Sequence, residues 1–571
     1  MRKVIASLGA VLVLGTTAYA HADVAQIGDP GQSWSIPNDA ALGEQIQEFL
    51  DTQPGEQPSF LLKDDAVPVS PGSNDYASNP TCSSDTDASC VGHPLSYQAV
   101  LPYCTSSTSV DCVVDFGTIS ASGQKTSATF ARYFPPTAQN QYTGDLARHL
   151  PTGVAGSIFT LPSSPHAGGN MYYLAAALRG GASGNSNFNL DNFSVRVYPV
   201  QLQTLNYAET FNTGYSLNDR GRQDGTKYWG GAGPGYYGTN FCVANSVLEK
   251  LCASRFAFPA DTTYFVKLRL QDAPNGWMHG RVANPDISIT PDGSNTDIQI
   301  VANPVAVPVV YKMYNYVDMP TDLQSKYDKG TGSYVLDPNF IRNPSGTPGG
   351  RSAPNADPTK RNVINACNGW SATCMDQLKL WLPYVNNKAT ALLSYWSVRT
   401  LDPQEMNNAS SCFSDSKSLT GIVTTDSTQY SDGPPTFNKA DGTLTYQVAS
   451  PHFGTDGSVF KGTYDLVMRS DVARCLYGFS KAPVSATISV TGADGTSEVA
   501  TTVVGESNGW LHLSANNFEF SAPTIQVKLS QAPAVVTPTK TMPQTKTITC
   551  VKGKVIKQVN ATTCPTGYKK R

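Results

Sequence analysis

Asn275-Gly276-Trp277-Met278-His279 recurs as Asn508-Gly509-Trp510-Leu511-His512. A pentapeptide repeated within one chain is a sign of internal duplication. Other markers follow in the same order. Phe193-Ser194-Val195-Arg196 matches Trp396-Ser397-Val398-Arg399, and Ser246, Cys252, Phe256, Phe258 and Pro259 have loose counterparts in Ser470, Cys475, Tyr477, Phe479 and Pro483. The expectation is two versions of one domain that differ in loop length, because surface loops tolerate insertion.

The duplicated unit reads as β. Phe193, Val195 and Val197 alternate with Ser194 and Arg196, and Val266, Leu268 and Leu270 stand opposite Phe265, Lys267 and Arg269. Ile287/Ile289, Ile298/Ile300, Ala486–Val490, Val499–Val504 and Thr524–Leu529 mark further strands. Short alternating runs divided by turn residues predict two tandem, related β-sandwich domains, an all-β fold. Asp224-Gly225, Asp292-Gly293, Asp441-Gly442, Asp494-Gly495, Asn275-Gly276 and Asn508-Gly509 are the dipeptides type I′ hairpins favour. In the repeat, Asn-Gly is then the turn, Trp packs on the sheet, and His shows a polar edge.

Only 15% of residues are charged, against about 25% in an ordinary globular protein. Gly (48), Pro (39) and Tyr (27) are abundant, and the apolar share of 40% suffices for packed cores. Arg2 and Lys3 precede an apolar run, Val4–Leu14, and then the small-residue patterns Ala18-Tyr19-Ala20 and Ala20-His21-Ala22. This reads as a secretory signal peptide over 1–22; no later run reaches the roughly 18 apolar residues that a transmembrane helix needs. Twelve cysteines agree with an oxidising compartment. Neighbour pairing gives Cys82/Cys90, Cys104/Cys112, Cys242/Cys252, Cys367/Cys374 and Cys550/Cys564, leaving Cys412 for Cys475; no Cys-x-x-Cys zinc spacing is present.

Along the chain, residues 23–92 read as an extended arm, with an amphipathic helix over Asp39–Asp51 (Leu42, Ile46, Phe49 and Leu50 on one side). Residues 93–310 form the first sandwich. Residues 311–390 connect, through a long loop and a short helix within Met375–Lys388 broken at Pro383. Residues 391–531 form the second sandwich, its first strand opening near Ala391. A Pro/Thr linker covers 532–547 and a small basic module 548–571. From Ala532 onward there are eight basic residues and no acidic one; the chain's net charge of −3 less those eight leaves −11 for the rest. Lys552, Lys554, Lys557, Lys569, Lys570 and Arg571 are therefore expected to bind polyanions: wall polymers, surface glycans or lipid headgroups. Nucleic acid is not an expected partner, since the bulk is acidic and no recognition fold is visible. The oligomeric state is not legible.

The tail carries a resemblance. Thr547-Ile548-Thr549-Cys550-Val551-Lys552-Gly553-Lys554, with Cys564-Pro565-x-Gly567-Tyr568-Lys569-Lys570, resembles a C-terminal module of uncharacterised secreted actinobacterial surface proteins. The two large halves resemble a domain in proteins of the same group. The resemblance implies an exported, wall-associated, Gram-positive context and no activity. No Leu-Pro-x-Thr-Gly motif occurs, so any retention at the surface is expected to be noncovalent.

Catalytic signatures are missing: there is no Gly-x-Ser-x-Gly, no His-Glu-x-x-His and no phosphate loop. The expectation is a structural or adhesive surface protein with no catalytic residues, cofactor or metal. Asp292-Gly293-Ser294-Asn295-Thr296-Asp297 has a calcium-loop composition but lacks the EF-hand pattern. One alternative is carbohydrate binding by Tyr228, Trp229, Tyr236 and Tyr237, four aromatics in a glycine-rich loop that can hardly bury them all. Another is a glycan hydrolase built from distant carboxylates.

Overall fold

A computed structural model describes residues 44–49, 59–64, 81–136, 141–204, 242–246, 248–249, 251–315, 318–323, 363–367, 372–403, 405–407, 409–415, 417–479, 484–491, 497–498, 501–520, 524–531 and 547–571. The expected signal segment lies outside them. The fold is all-β, and its frame is one long sheet. Ten of its strands, numbered in chain order, are β1 (Phe60–Lys63), β2 (Leu95–Val100), β3 (Met171–Ala182), β4 (Asn189–Thr204), β5 (Gly276–Arg281), β6 (Ala391–Thr400), β7 (Leu419–Thr425), β8 (Lys461–Arg469), β9 (Thr501–Ser507) and β10 (Trp510–Glu519). Across the sheet they run β1-β2-β3-β4-β6-β5-β7-β8-β10-β9, antiparallel except where β5 meets β7.

That order crosses the expected boundary between the halves. β5, from the first half, lies between β6 and β7 of the second. The repeated Phe/Trp-Ser-Val-Arg tetrapeptides sit on β4 and β6, and they pair with each other. Ser194 faces Arg399, Val195 faces Val398 and Arg196 faces Ser397, a local two-fold centred on the valines. The halves are joined by a backbone ladder.

Two smaller sheets cover opposite faces of this frame. Thr263–Leu270 sits between Cys112–Ile119 and Asn295–Asn303, with Ala283–Asp292 and Lys125–Ser127 outermost. Its Phe116, Tyr264, Val266, Ile298 and Ile300 share a core with Val195, Met278, Val398, Ile422 and Val467 of the long sheet. On the other side, Thr524–Gln531 sits between Thr443–Ala449 and Val484–Thr491. Its Leu444, Tyr446, Ile488, Ile525 and Val527 pack against Trp277, Val423, Leu466, Met468 and Leu513. Consecutive residues of one strand (Trp277/Met278, Ile422/Val423, Leu466/Val467) therefore enter different cores, as the two-residue period of a strand dictates. Strands covered on both faces read as continuous runs, and all seven residues of β7 are buried.

Several local expectations change. Of the helix expected over Asp39–Asp51, the described part, Glu44–Phe49, is instead a strand, antiparallel to Val305–Asn315 and parallel to Val363–Cys367; the rest lies outside the described residues. Tertiary pairing overrides the helical spacing there. The arm is not separate from the core either, since β1 pairs with β2 and Leu61, Cys82 and Cys90 are buried in the first core. The expected connector contributes the end of Val305–Asn315, the strand Val363–Cys367 and the helix Ala372–Trp381, which gives way to a 3₁₀ turn at Leu382–Val385 containing Pro383. Ser470–Tyr477 is helical while Ser246 and Cys252 lie on a hairpin, so that pair of markers is not structurally equivalent.

The pentapeptides share backbone and differ in setting. Gly276 (φ 74°) and Gly509 (φ 82°) are both left-handed, as are Asn284 (φ 51°) and Asn517 (φ 64°), each seven residues beyond its Trp. Asn508 (φ 52°) and Gly509 close the type I′ turn between β9 and β10. Asn275 is not left-handed, and Gly276 opens β5, which has no hairpin partner before it. His279 does not show a polar edge; it is 3% exposed.

Candidate polyanion-binding face

The C-terminal module is built from three short strands: β11 (Thr547–Lys552), β12 (Val555–Asn560) and β13 (Lys569–Lys570). β11 is central, pairing Cys550 with Lys557 and Val551 with Ile556 on one side, and Cys550 with Lys570 and Val551 with Lys569 on the other. Gly553, at φ 59°, takes the first position of the two-residue turn to Val555, which suits a glycine-first hairpin. A sheet this small has almost no core; only Ile548 and Cys550 are buried. The Cys550–Cys564 disulfide supplies the missing constraint. Arg571 N–H donates to Thr549 O (2.9 Å) and holds the last strand in place.

Lys552, Lys554, Lys557, Lys569, Lys570 and Arg571 are all exposed. The segment has no Asp or Glu to neutralise them. Lys554, Lys569, Lys570 and Arg571 line a shallow depression of about 610 Å³ together with Val551, Gly553 and Ile556. Ammonium groups there act as mobile point charges, and the field of six same-sign charges attracts any polyanion within a Debye length. The six candidate residues thus lie on one small scaffold. Beside them Val555 (57%) and Ile556 (58%) are exposed.

The other candidates divide. Tyr228, Trp229, Tyr236 and Tyr237 lie outside the described residues. Cys82–Cys90, Cys104–Cys112, Cys412–Cys475 and Cys550–Cys564 are disulfides. Cys252 and Cys374 are also disulfide-bonded, while the side chains of Cys242 and Cys367 lie outside the described residues. Asp292 and Asp297 flank a hairpin and are bound by Arg269 (2.9 Å to each), with Lys267 on Asp297 (2.7 Å). Among the described residues, no group of three or more His, Cys, Asp or Glu is placed to hold a metal ion. Among them, no helix is long and apolar enough to cross a membrane.

One polar cluster escaped the sequence reading because its members are far apart in the chain. His279 stacks on Tyr430 (centroids 3.7 Å, planes 4° apart). The Arg281 guanidinium lies over the same ring and donates to Thr425 O (3.0 Å) and Ser427 O (2.6 Å). Arg399, facing His279 on β6, makes a two-pronged ion pair with Glu405 (2.6 Å each). Burial, then Arg281 and Arg399, hold His279 well below the usual histidine range, so it is neutral, and its Nε2 has no hydrogen-bond partner.

Burial also raises the carboxyls of three side chains that are hidden from solvent: Asp111 to about 6, Asp426 to about 7, and Asp465. Each accepts a backbone N–H, from Gln271 (2.8 Å), Thr463 (2.8 Å) and Asn284 (2.9 Å) respectively. Perturbed carboxyls can mark an active site. These three instead tie strands and turns together: Asp465 also accepts from Thr424 (3.2 Å) and Ser514, fixing the turn at Asn284 to β7, β8 and β10.

No protein-family model, curated protein or solved structure matches this chain.

Proposed function

We propose that this is a secreted structural or adhesive protein, held noncovalently on the anionic polymers of a cell wall through the β11–β13 module. The observation that carries the reading is the set of six exposed cations on a disulfide-stapled sheet with no Asp or Glu in its segment. The rest of the chain is acidic, so wall attraction falls to the module alone. Four disulfides with described geometry and a low charge content support an extracellular setting. The tail's resemblance to the actinobacterial module supports a Gram-positive one. The buried carboxyls favour a structural protein over a hydrolase, since each is engaged by a backbone amide.

The test is co-sedimentation with purified cell walls over a salt series. The full chain is expected to pellet at low salt and release as salt rises; a chain ending before Thr547 is expected to stay in the supernatant. Equal pelleting of the truncated chain would overturn the reading.

A further inference from the structure

The two faces of the β11–β13 sheet are not alike. Residues directly opposite one another across a ladder share a face, and successive residues alternate. Val551 therefore stands with Ile556 on one side and Lys569 on the other, and Thr549 with Gln558 and Arg571, whose N–H continues the ladder to Thr549 O. Cys550 stands on the opposite face with Lys557 and Lys570, and Lys552 with Val555. That second face is the covered one. Cys564 is tied to Cys550 there, so the segment between β12 and β13 passes over it. The two buried residues of the module, Ile548 and Cys550, belong to this face. Lys552 lies against the same segment, since a Cβ on Gly567 would meet its Nζ at 3.3 Å. The first face is open. Ile556 is 58% exposed on it, and Val551, Lys554, Ile556, Lys569 and Arg571 line the depression of about 610 Å³. Lys570 also borders the depression but alternates to the covered face.

Attraction by charge alone would ignore this difference. Neighbouring strands lie about 5 Å apart, and a field in physiological salt reaches about 8 Å, so a ligand held only by the field feels both faces alike. The open face adds an apolar floor, Val551 beside Ile556, with Lys569 and Arg571 along its edge. Two positions apart on extended chain is about 7 Å. Cations spaced in this way beside hydrocarbon suit a polymer whose anionic groups are separated by short carbon links. A phosphodiester of a small polyol has that form: its charges lie in the chain itself, and the C–H groups between them meet the floor. A carboxylated glycan carries its charges beside bulky rings instead. Lysine ammonium groups serve phosphate as compact point charges, and arginine adds a forked donor.

We propose that the open face of the module binds a polyol phosphate chain, with Lys554, Lys569 and Arg571 on its phosphates and Val551 and Ile556 under its carbon links, while Lys552 and Lys557 supply field only. The inference rests on the polyanion reading and adds to it one face and one class of polymer.

The experiment is titration of the full chain with poly(glycerol phosphate) in physiological salt, with inorganic polyphosphate as the carbon-free control. Lys569→Gln/Arg571→Gln removes two charges from the open face, and Lys552→Gln/Lys557→Gln removes two from the covered face. The open-face pair is expected to weaken poly(glycerol phosphate) binding about tenfold and the covered-face pair less than about twofold. Lys569→Arg/Arg571→Lys is expected to keep most of the binding, which separates a lost contact from a misfolded module. Ile556→Ser is expected to weaken poly(glycerol phosphate) binding and leave polyphosphate binding unchanged. If both neutralised pairs lose the same affinity, the one-face proposal is overturned and the polyanion reading stands. If Ile556→Ser affects the two polymers equally, the carbon links play no part and the polyol assignment falls. If the wild type binds neither polymer, the polyanion reading falls as well.

Discussion

Asp426 sits 5% exposed at the end of β7, accepting the Thr463 N–H at 2.8 Å. Burial raises its carboxyl from 3.8 to about 7; hydrogen bonding and, last, Arg281 pull the other way and lose. The native state therefore keeps a proton that the unfolded chain releases above about pH 4. Because the folded value is the higher one, the associated stability is fully present below the unfolded value. It declines as pH rises and is gone above about pH 7. A shift of that size corresponds to about 4 kcal/mol, at ~1.4 kcal/mol per tenfold change in proton affinity. His279 works in the opposite sense. Its folded value is depressed, so it lowers stability as pH falls below the ordinary histidine value of 6.5. A wild-type profile sums both terms, and the difference from a variant isolates one. Asp426→Asn keeps an acceptor for Thr463 and cannot ionise. Urea unfolding, followed by the near-ultraviolet signal of the buried aromatics, should give similar slopes of stability against pH below 4 for both proteins. Between pH 4 and 8 the wild type should lose up to about 4 kcal/mol relative to the variant. Any constant cost of the amide moves the whole curve and leaves that divergence intact. Parallel curves from pH 4 to 8 would refute the assignment of a buried, proton-holding carboxyl to this position.

Two further comparisons test the long sheet and its polar crossing. Trp277 is 1% exposed inside the core it shares with Val423 and Leu466, and Trp510 is only partly buried, so Trp277→Ala should cost about 3–5 kcal/mol and Trp510→Ala clearly less; equal losses in denaturant midpoint would contradict the different settings of the two repeats. Arg399→Met leaves Glu405, whose side chain is 6% exposed, without its two-pronged partner and should cost about 3 kcal/mol. Arg399→Met/Glu405→Met should be less damaging than the single change, and a double variant worse than either single one would show that the pair is not acting as a unit.

How much of this was legible depends on how many faces of a strand are covered. Thr263–Leu270 and Thr524–Gln531 each belong to an outer sheet, and their alternation was readable: Val266, Leu268 and Leu270, and again Ile525, Val527 and Leu529, point into a core. β7, Leu-Thr-Gly-Ile-Val-Thr-Thr, has no alternation to read because both its faces are covered. Glu44–Phe49 satisfied helical spacing at Ile46 and Phe49, but its backbone is claimed by two neighbouring strands that lie hundreds of residues away in sequence. The sheet order has the same origin. Matching Phe193–Arg196 to Trp396–Arg399 identifies similar segments, yet pairing between them requires a symmetric register, and similarity alone does not specify register.

The site shows the same division between composition and placement. Cys550, Cys564 and six cations could be read directly, because charge and cysteine spacing are properties of the chain itself. Val555 and Ile556 look like ordinary strand residues in sequence and would be expected to share in a core. The module has no second layer to receive them. A segment with one disulfide and two buried side chains cannot hide every apolar residue it carries, so Val555 and Ile556, the first two residues after the turn, remain exposed. Their exposure is therefore a consequence of the module's size.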